Sequence, residues 1–384
     1  MSEISFESSG DIYTLKRYPY NSKSQLRAWD SADIYLLNET QVRLSDETKL
    51  CVLHDNFGAL TMPLLSHAPV CYLDSWMSRE ALLLNVKENN KIPPEIVTDV
   101  DTLIKQPIKP NLIIGRVPKF KSQLAYLLQK LNQWASNDCE LLLCGMDKHL
   151  SKGQFDLLGK YFGRSEFLPG VKKARVWRAA VDKSLTVDPI KYTKVTVPEF
   201  TLALSSAPNV FSQDKLDIGS RFFLEHFSAI PQANNVADLA CGNGVLGLAY
   251  LRLHPESRML FCDESYQAIQ STESNIKVNM PSANTTTRVD DGLVHTESSS
   301  LDLILCNPPF HQQSTVSTDI AFNLFKSAKR ALINGGQLWI VANRHLGYHM
   351  VLKRLFGNCT TEASNNKFVI LKATRKRILK NECR

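Results

Sequence analysis

The chain has 384 residues, of which 43% are hydrophobic and 22% are charged, and its formal net charge is +7. This composition is typical of a soluble globular protein, and the length exceeds that of one ordinary domain, so two domains are expected. No segment approaches the roughly 18 consecutive apolar residues of a membrane span, which excludes a transmembrane protein.

The first residues and the cysteines predict the compartment. The segment from Met1 to Ser8 lacks the basic start and apolar core of a secretory signal, so a cytoplasmic location is expected. The nine cysteines lie mainly in apolar, strand-like runs and show no Cys-x-x-Cys spacing. They are therefore predicted to be reduced core residues, and no metal site is expected.

The first half of the chain predicts short strands at 50–52 and 70–72, with a turn at 54–58 between them that keeps a single glycine. Residues 182–198 carry two X-Pro pairs among mixed polar residues, which is typical of a linker. The predicted domains are therefore residues 1–185 and 190–384.

The second half begins with a segment, 208–221, that precedes an apolar helix predicted at 222–227. Asp217 and the turn Ile218-Gly219-Ser220 are placed to cap this helix.

A predicted strand at 236–239 then runs into the turn Cys241-Gly242-Asn243-Gly244 and a helix at 248–253. Glycine lets a backbone approach a ligand closely, and the start of a helix offers unpaired N–H groups, so this segment predicts nucleotide binding. The next strand ends at Asp263, about 20 positions beyond the glycines, where an acidic residue can bind ribose hydroxyls. A third strand leads to Asp290-Asp291-Gly292.

The apolar run 301–306 predicts a buried strand, which two prolines end because proline fixes φ and has no N–H donor. Asn307, Pro308 and Phe310 should therefore lie at the carboxyl end of a strand, where open α/β sheets bind ligands. The Asn307 Oδ1 atom and the Pro308 carbonyl can accept the hydrogens of an NH₂ group and draw its nitrogen toward sp³, while Phe310 stacks on a planar substrate. The alternative interpretation is an ordinary Asn-Pro turn with a surface phenylalanine.

These four motifs, in this order, resemble class I S-adenosylmethionine-dependent methyltransferases that methylate amino groups. The resemblance implies S-adenosylmethionine as cofactor and Asn307, Pro308 and Phe310 as catalytic residues. It also implies a cofactor site in which the glycine turn holds the methionine moiety, Asp263 binds the ribose, and Asp291, or Asp290 if the register differs by one, binds the adenine. The implied cofactor residues are Asp238, Cys241, Gly242, Gly244, Asp263, Asp290, Asp291 and Asn307. A dinucleotide-binding dehydrogenase is the alternative, but it leaves Asn-Pro-Pro-Phe unexplained.

The two halves of the chain resemble each other, since segments such as 111–119 and 302–310 recur in the same order and at nearly the same separation. This predicts an α/β fold of two tandem class I methyltransferase (Rossmann-like) domains that arose by duplication. Arg116 stands in place of Asn307, and Lys119 in place of Phe310, so the N-terminal copy is predicted to be degenerate. Their positive charges suggest contact with RNA phosphates, and a solvated charged loop is the alternative.

The resemblance narrows when five segments are taken together: Phe211-Ser212, 216–221, 307–311, 341–346 and 356–361. They are similar to the two-copy ribosomal RNA guanine-N2 methyltransferases over nearly the full chain. This implies N2-methylation of a specific guanine in 23S rRNA, with 16S rRNA as the alternative. It also implies that residues 211–221 close over cofactor and base. The residues implied to bind substrate are Phe211, Ser212, Arg221, His311, Arg116 and Lys119.

Other functions remain open at this point. The same acceptor pair would serve a methyltransferase acting on adenine N6 in DNA or on a protein glutamine, and a non-catalytic RNA-binding assembly factor is a further alternative. Residues 367–384 carry seven Lys or Arg against one acidic residue, which suits phosphate contacts or a disordered terminus equally well. The expected partner is 23S rRNA, with no membrane and no metal, and a monomer is favoured.

Overall fold

The computed structural model describes residues 3–22, 24–190, 192–208, 210, 216–309 and 315–376, with residues 315–319 described by their backbone alone. The chain divides into two compact units, Met1–Lys191 and Tyr192–Arg384. Each unit contains a seven-stranded mixed sheet and a separate two-stranded hairpin.

The first unit alternates strands and helices along the chain. Its strands are β1 (Ser5–Ser8), β2 (Asp11–Thr14), β3 (Leu50–Leu53), β4 (Val70–Tyr72), β5 (Glu95–Val97), β6 (Leu112–Arg116), β7 (Glu140–Met146), β8 (Ser165–Phe167) and β9 (Ala174–Ala180). Its helices are α1 (Ser31–Gln41), α2 (Trp76–Glu88), α3 (Val100–Leu103), α4 (Lys121–Trp134) and α5 (Lys152–Tyr161).

The second unit repeats this alternation. Its strands are β10 (Thr193–Val197), β11 (Leu202–Ser206), β12 (Asn235–Leu239), β13 (Arg258–Asp263), β14 (Thr285–Val289), β15 (Leu301–Cys306), β16 (Leu332–Asn343), β17 (Thr360–Ser364) and β18 (Phe368–Thr374). Its helices are α6 (Ile218–Leu224), α7 (Val245–Leu253), α8 (Tyr266–Asn279), α9 (Thr315–Ala331) and α10 (Tyr348–Phe356).

The two large sheets have the same strand order. The first runs β5-β4-β3-β6-β7-β9-β8 and the second β14-β13-β12-β15-β16-β18-β17. In both, the first five strands along the chain are parallel and the last two pair antiparallel. The predicted α/β architecture with two Rossmann-like halves is therefore confirmed.

The strand order also locates a ligand crevice in the second unit. The chain moves outward from β12 through β13 to β14, and then returns to place β15 on the other side of β12. At such a reversal the following connections leave toward opposite faces, which opens a crevice at the carboxyl ends of the strands.

The predicted strand at 301–306 forms as β15, with its residues divided between two cores. Leu303 and Leu305 pack into the cluster on one face of the sheet, and Ile304 and Cys306 into the cluster on the other. A central parallel strand is covered on both faces, which explains why its sequence is apolar without alternation.

The helix predicted at 222–227 begins and ends earlier than expected, since α6 covers Ile218–Leu224. The predicted cap is correct: the Asp217 carboxylate accepts a hydrogen bond of 2.8 Å from the Ser220 backbone N–H. Because Asp217 meets that first-turn donor, the helix starts at the cap instead of at the first aromatic residue.

Each unit contains an equivalent asparagine, which lies on a helix and binds the backbone of the hairpin segment of the same unit. Asn275 on α8 accepts from the Ser205 N–H at 2.7 Å and donates to the carbonyls of Ser205 and Asn243, both at 2.9 Å. In the first unit, Asn85 on α2 accepts from the Lys16 N–H and donates to the Lys16 carbonyl, both at 2.9 Å, and it also donates to a carbonyl of the turn after β3. Both asparagines are buried. Equivalent hydrogen bonds therefore hold β11 in the second unit and the residue two positions beyond β2 in the first.

The described cysteines are free thiols, and all except Cys359 are buried, as predicted for core residues. No described helix combines the length and the apolar composition that a membrane span requires. Within the described ranges, no group of three or more His, Cys, Asp or Glu side chains is arranged to hold a metal ion.

The substitution Asn275→Ala removes three hydrogen bonds and leaves part-buried backbone groups of Ser205 and Asn243 without these partners. We expect it to destabilise the second unit by about 2–4 kcal/mol, since each unsatisfied buried group costs about 1–3 kcal/mol. The measurement is urea unfolding combined with hydrogen exchange, which should show faster exchange at residues 202–206. Lys277→Ala, at an exposed position of the same helix, is the control, and equal exchange in both variants would contradict the prediction.

Candidate active site

The predicted motif residues of the second unit come together at one edge of its sheet. The four strands β14, β13, β12 and β15 are consecutive neighbours, and their carboxyl ends lead respectively to Asp290 and Asp291, to Asp263, to the glycine turn, and to Asn307. Parallel strands end at the same edge, so motifs far apart in sequence line one crevice.

The glycine turn contains left-handed backbone conformations that favour glycine. Gly242 and Gly244 adopt left-handed φ angles of 57° and 81°, and Ala240 also has a positive φ of 58°. The Gly244 N–H donates to the Cys241 carbonyl at 2.8 Å, which closes the turn just before α7. Glycine fits these positions because left-handed φ costs it no steric strain.

Asp238 lies fully buried beneath this turn. Its Oδ2 atom accepts a 2.8 Å hydrogen bond from the Gly247 N–H, whereas its Oδ1 atom has no hydrogen-bond partner among the described residues. Burial raises the pKa of Asp238 to about 8, and the charge of Asp263 adds to this rise, while the hydrogen bond from Gly247 opposes it. An orphaned acceptor of this kind fits a cationic donor such as the ammonium group of a bound amino acid moiety.

Asp263 connects the glycine turn with the start of α8. Its Oδ2 atom accepts from the Gly242 N–H at 2.9 Å, and its Oδ1 atom accepts from the Ser265 N–H at 3.0 Å. Burial raises the pKa of this carboxyl. Each carboxylate oxygen still has accepting capacity, so Asp263 fits the predicted contact with ribose hydroxyls.

The two adjacent carboxylates after β14 differ in their contacts. Asp290 is fully buried, and its two oxygens accept from the backbone N–H and the ring Nδ1 atom of His295 at 2.9 and 2.8 Å. Asp291 is part-exposed, and burial together with the charge of Asp290 raises its pKa. Asp290 therefore shapes the loop, and Asp291 is better placed for the predicted adenine contact.

Cys241 lies at the turn, but its thiol is directed at the Thr272 hydroxyl, 3.5 Å away. The side chain is buried. A cofactor contact at this position would therefore use the backbone.

Asn307 is held by the first turn of α6. Its side-chain nitrogen donates to Asp217 Oδ2 at 3.0 Å and to Ser220 Oγ at 2.9 Å. Both amide hydrogens are thus used, and the Oδ1 atom is buried without a partner in the described part of the chain. Pro308, whose carbonyl is the second predicted acceptor, is buried beside it.

Four predicted residues, Phe211, Ser212, Phe310 and His311, lie outside the described residues. Arg221, one turn beyond Asp217, is exposed and lines a cavity of about 780 Å³. The other lining residues are Lys194, Val195, Thr196, Val197, Pro198, Glu199, Phe200, Leu216, Leu224 and Glu225.

Comparisons with known proteins agree with this geometry. Residues 3–183 match the RLMG N-terminal domain, and residues 201–372 match the methyltransferase small domain. The chain is 39% identical to ribosomal RNA large subunit methyltransferase G of Aeromonas salmonicida, over 94% of this chain and 97% of that protein. The same enzyme of Klebsiella pneumoniae is 37% identical, over 97% and 98% of the two chains. This chain belongs to the ribosomal RNA large subunit methyltransferase G family.

The family resemblance inferred from sequence is thereby confirmed, and S-adenosylmethionine is the cofactor of such an enzyme. Among solved structures, the T. thermophilus 16S rRNA N2 G1207 methyltransferase in complex with AdoMet and guanosine has a TM-score of 0.77, 18% identity, and 97% coverage of both chains. The two proteins therefore share the two-copy fold over nearly the whole of each chain.

In this family member, Arg116 does not present the free cation that a phosphate contact requires. Its guanidinium pairs with Asp30 at 2.8 Å and with Asp33, which is 4% exposed. The geometry argues against the predicted phosphate contact and assigns Arg116 to a structural ion pair. Lys119 is exposed, with its ammonium 5.6 Å from the centre of the Phe120 ring, and its RNA contact stays a prediction.

The sequence interpretation recognised Asp217 as a helix cap but missed that Asp217 and Ser220 hold Asn307. Hydrophobic periodicity reports local structure, whereas these hydrogen bonds join residues 90 and 87 positions apart. The repeat between the two halves offered a signal for this contact, because Asp30 and Asp33 precede Arg116 as Asp217 and Ser220 precede Asn307. In the structure, Asp30 and Asp33 hold Arg116 in the same way.

We expect Arg116→Ala to destabilise the first unit by about 3 kcal/mol, since breaking a buried pair leaves Asp33 as an unpaired buried charge. Lys119→Ala should change stability by less than about 0.5 kcal/mol, as is usual for exposed positions. Chemical unfolding of both variants tests this, and similar midpoints would show that the ion pair contributes little.

The raised pKa of Asp238 predicts a pH-dependent effect of Asp238→Asn. The unfolded chain loses this proton near pH 3.9, whereas the folded chain keeps it to about pH 8, so the stability of the unliganded wild type falls as pH rises through this window. The asparagine variant does not titrate, and its advantage should therefore grow between about pH 5 and about pH 8. Urea unfolding at both pH values is the measurement. Glu297→Gln, an exposed change, should follow the wild type, and parallel curves for all three proteins would contradict the prediction.

Proposed function

We propose that this protein transfers a methyl group from S-adenosylmethionine to the N2 amino group of a specific guanine in 23S rRNA. The relatives that cover nearly the whole chain are large-subunit ribosomal RNA methyltransferases by name. The observation that carries the reaction type is the orphaned Oδ1 atom of Asn307, buried at the end of β15.

The acceptor pair acts on the nucleophile. The lone pair of an exocyclic NH₂ group is delocalised into the ring, which makes the nitrogen a weak nucleophile. When Asn307 Oδ1 and the Pro308 carbonyl each accept one hydrogen, the nitrogen is drawn toward sp³ and its lone pair points away from both acceptors. The incoming donor also satisfies the buried oxygen of Asn307, whose isolation otherwise costs free energy.

Three carboxylates would hold the cofactor. Asp238 would bind the α-ammonium group, Asp263 the ribose hydroxyls, and Asp291 the adenine amino group. When bound, S-adenosylmethionine supplies a methyl group on a sulfonium sulfur, which is a good leaving group. The contribution of the protein is therefore mainly to fix the distance and angle between this methyl and the held nitrogen. The methylated cation releases its proton readily to water, so no general base is required.

Recognition of the RNA is assigned to two regions. In the second unit, Arg221 lines the cavity beside α6 and directly follows Ser220 of the Asn307 network in the chain, so this region would receive the nucleotides that flank an extruded base. The segment containing Phe211 and Ser212 would close over cofactor and base, with Phe310 stacked on the guanine. In the first unit, Lys119 would contact phosphates. A monomer acting in the cytoplasm fits this substrate.

The substitution Asn307→Ala should lower the methylation rate by about 100-fold or more, a loss typical of removing one preorganised group that stabilises the transition state. The measurement uses labelled S-adenosylmethionine with unmodified 23S rRNA, 16S rRNA, DNA or ribosomal protein, followed by digestion and mass spectrometry. The expected product is N2-methylguanosine in 23S rRNA alone. Lys277→Ala is the activity control. Transfer to 16S rRNA, DNA or protein would replace the proposed substrate, and cofactor binding without any transfer would favour an assembly factor.

A further inference from the structure

We propose that Asp217 is a positioning residue that fixes the orientation of the Asn307 amide, so that the oxygen and not the nitrogen faces the substrate amino group. The inference rests on the proposed function, because it concerns the same acceptor. It assigns to Asp217 a role beyond that of a helix cap.

The argument begins with the ambiguity of an asparagine side chain. A rotation of about 180° exchanges the amide oxygen and nitrogen with little change in shape. In one orientation Asn307 accepts a hydrogen from the substrate. In the other it presents an NH₂ group to an NH₂ group, and the two donors repel. The site works only if a neighbour selects the first orientation.

Asp217 makes that selection because its carboxylate accepts hydrogen bonds and donates none. It lies 3.0 Å from the Asn307 nitrogen, and reversing the amide would bring an oxygen to that distance from Oδ2. Ser220 alone cannot select, since a hydroxyl accepts or donates as required. The Ser220 Oγ atom, 2.9 Å from the same nitrogen, takes the second amide hydrogen.

The position of Asp217 is itself fixed by α6. The same Oδ2 atom that receives the Asn307 hydrogen also receives the Ser220 backbone N–H at 2.8 Å. The helix start therefore holds the carboxylate, the carboxylate holds the amide, and the amide holds the substrate nitrogen. The packing around the first turn is close, since a Cβ atom on Gly219 would lie 3.0 Å from Asp217 Oδ2 and 3.2 Å from the Phe368 ring.

The variant Asp217→Ser tests selection without removing the cap, because serine is as good an N-cap residue as aspartate. Its hydroxyl oxygen can accept the Ser220 N–H while its hydrogen is donated to Asn307 Oδ1, which permits the wrong orientation. We expect kcat to fall at least tenfold, while S-adenosylmethionine binding and the thermal midpoint stay near those of the wild type. Ser220→Ala, which leaves the acceptor-only carboxylate in place, should cost less.

The double variant Asp217→Ser/Asn307→Asp places a donor against an acceptor-only group. The introduced carboxylate accepts from the introduced hydroxyl and still offers an oxygen to the substrate. The single variant Asn307→Asp places two carboxylates against each other and should be inactive. We expect the double variant to exceed both single variants in kcat by at least tenfold.

A second readout follows the amide itself. In protein labelled with ¹⁵N-asparagine, the Asn307 NH₂ signal, identified by its loss in Asn307→Ala, should be protected from exchange in the wild type and lose protection in Asp217→Ser. The proposal is overturned by an active wild type with an equally active Asp217→Ser, by additive effects in the double variant, or by unchanged protection. A wild type that methylates no guanine would instead remove the proposed function.

Discussion

The active site depends on one part-buried contact between a strand end and a helix start. Asn307 follows β15, and its amide nitrogen is held by Asp217 and Ser220 in the first turn of α6. The contact joins the start of α6, which precedes the glycine turn in the chain, to Asn307, which follows the glycine turn. Within the described part of the chain, this contact leaves the Asn307 oxygen without a partner. A protein that buries an acceptor without a partner loses stability, and the loss is recovered when a substrate donates to it.

An equivalent contact between a strand end and a helix start occurs in the first unit, but it contains no acceptor for a substrate amino group. Arg116 is the last residue of β6, and it donates to Asp30, the N-cap of α1, and to Asp33 in the first turn of that helix. An arginine has five donors and no acceptor, so it satisfies this helix start completely and offers nothing to an amino group. The duplication has therefore kept the strand-to-helix contact as a structural element while losing the acceptor that would make it catalytic.

The cofactor turn shows a parallel loss. Gly58 and Gly244 both adopt left-handed φ angles, of 89° and 81°, so this position of the turn keeps its backbone conformation in each copy. Six positions before each glycine, however, Val52 stands where the second unit has Asp238. A valine keeps the core of β3 packed but has no oxygen to offer a cationic ligand. The first unit has thus kept the fold and lost a ligand-binding residue, because packing needs an apolar strand and binding needs a carboxylate.

The sequence by itself determined the fold class, the strand β15, the glycine turn and the acidic strand ends, because local apolar runs, prolines and glycines indicate each of them. It also identified the family through the order of these motifs. Only the tertiary structure decided that Asp290 is enclosed by His295, that Arg116 is an ion-paired residue, and that Asp217 holds Asn307. These outcomes depend on contacts between distant segments, and local sequence patterns carry no information about which partner a polar side chain will meet once the sheet has assembled.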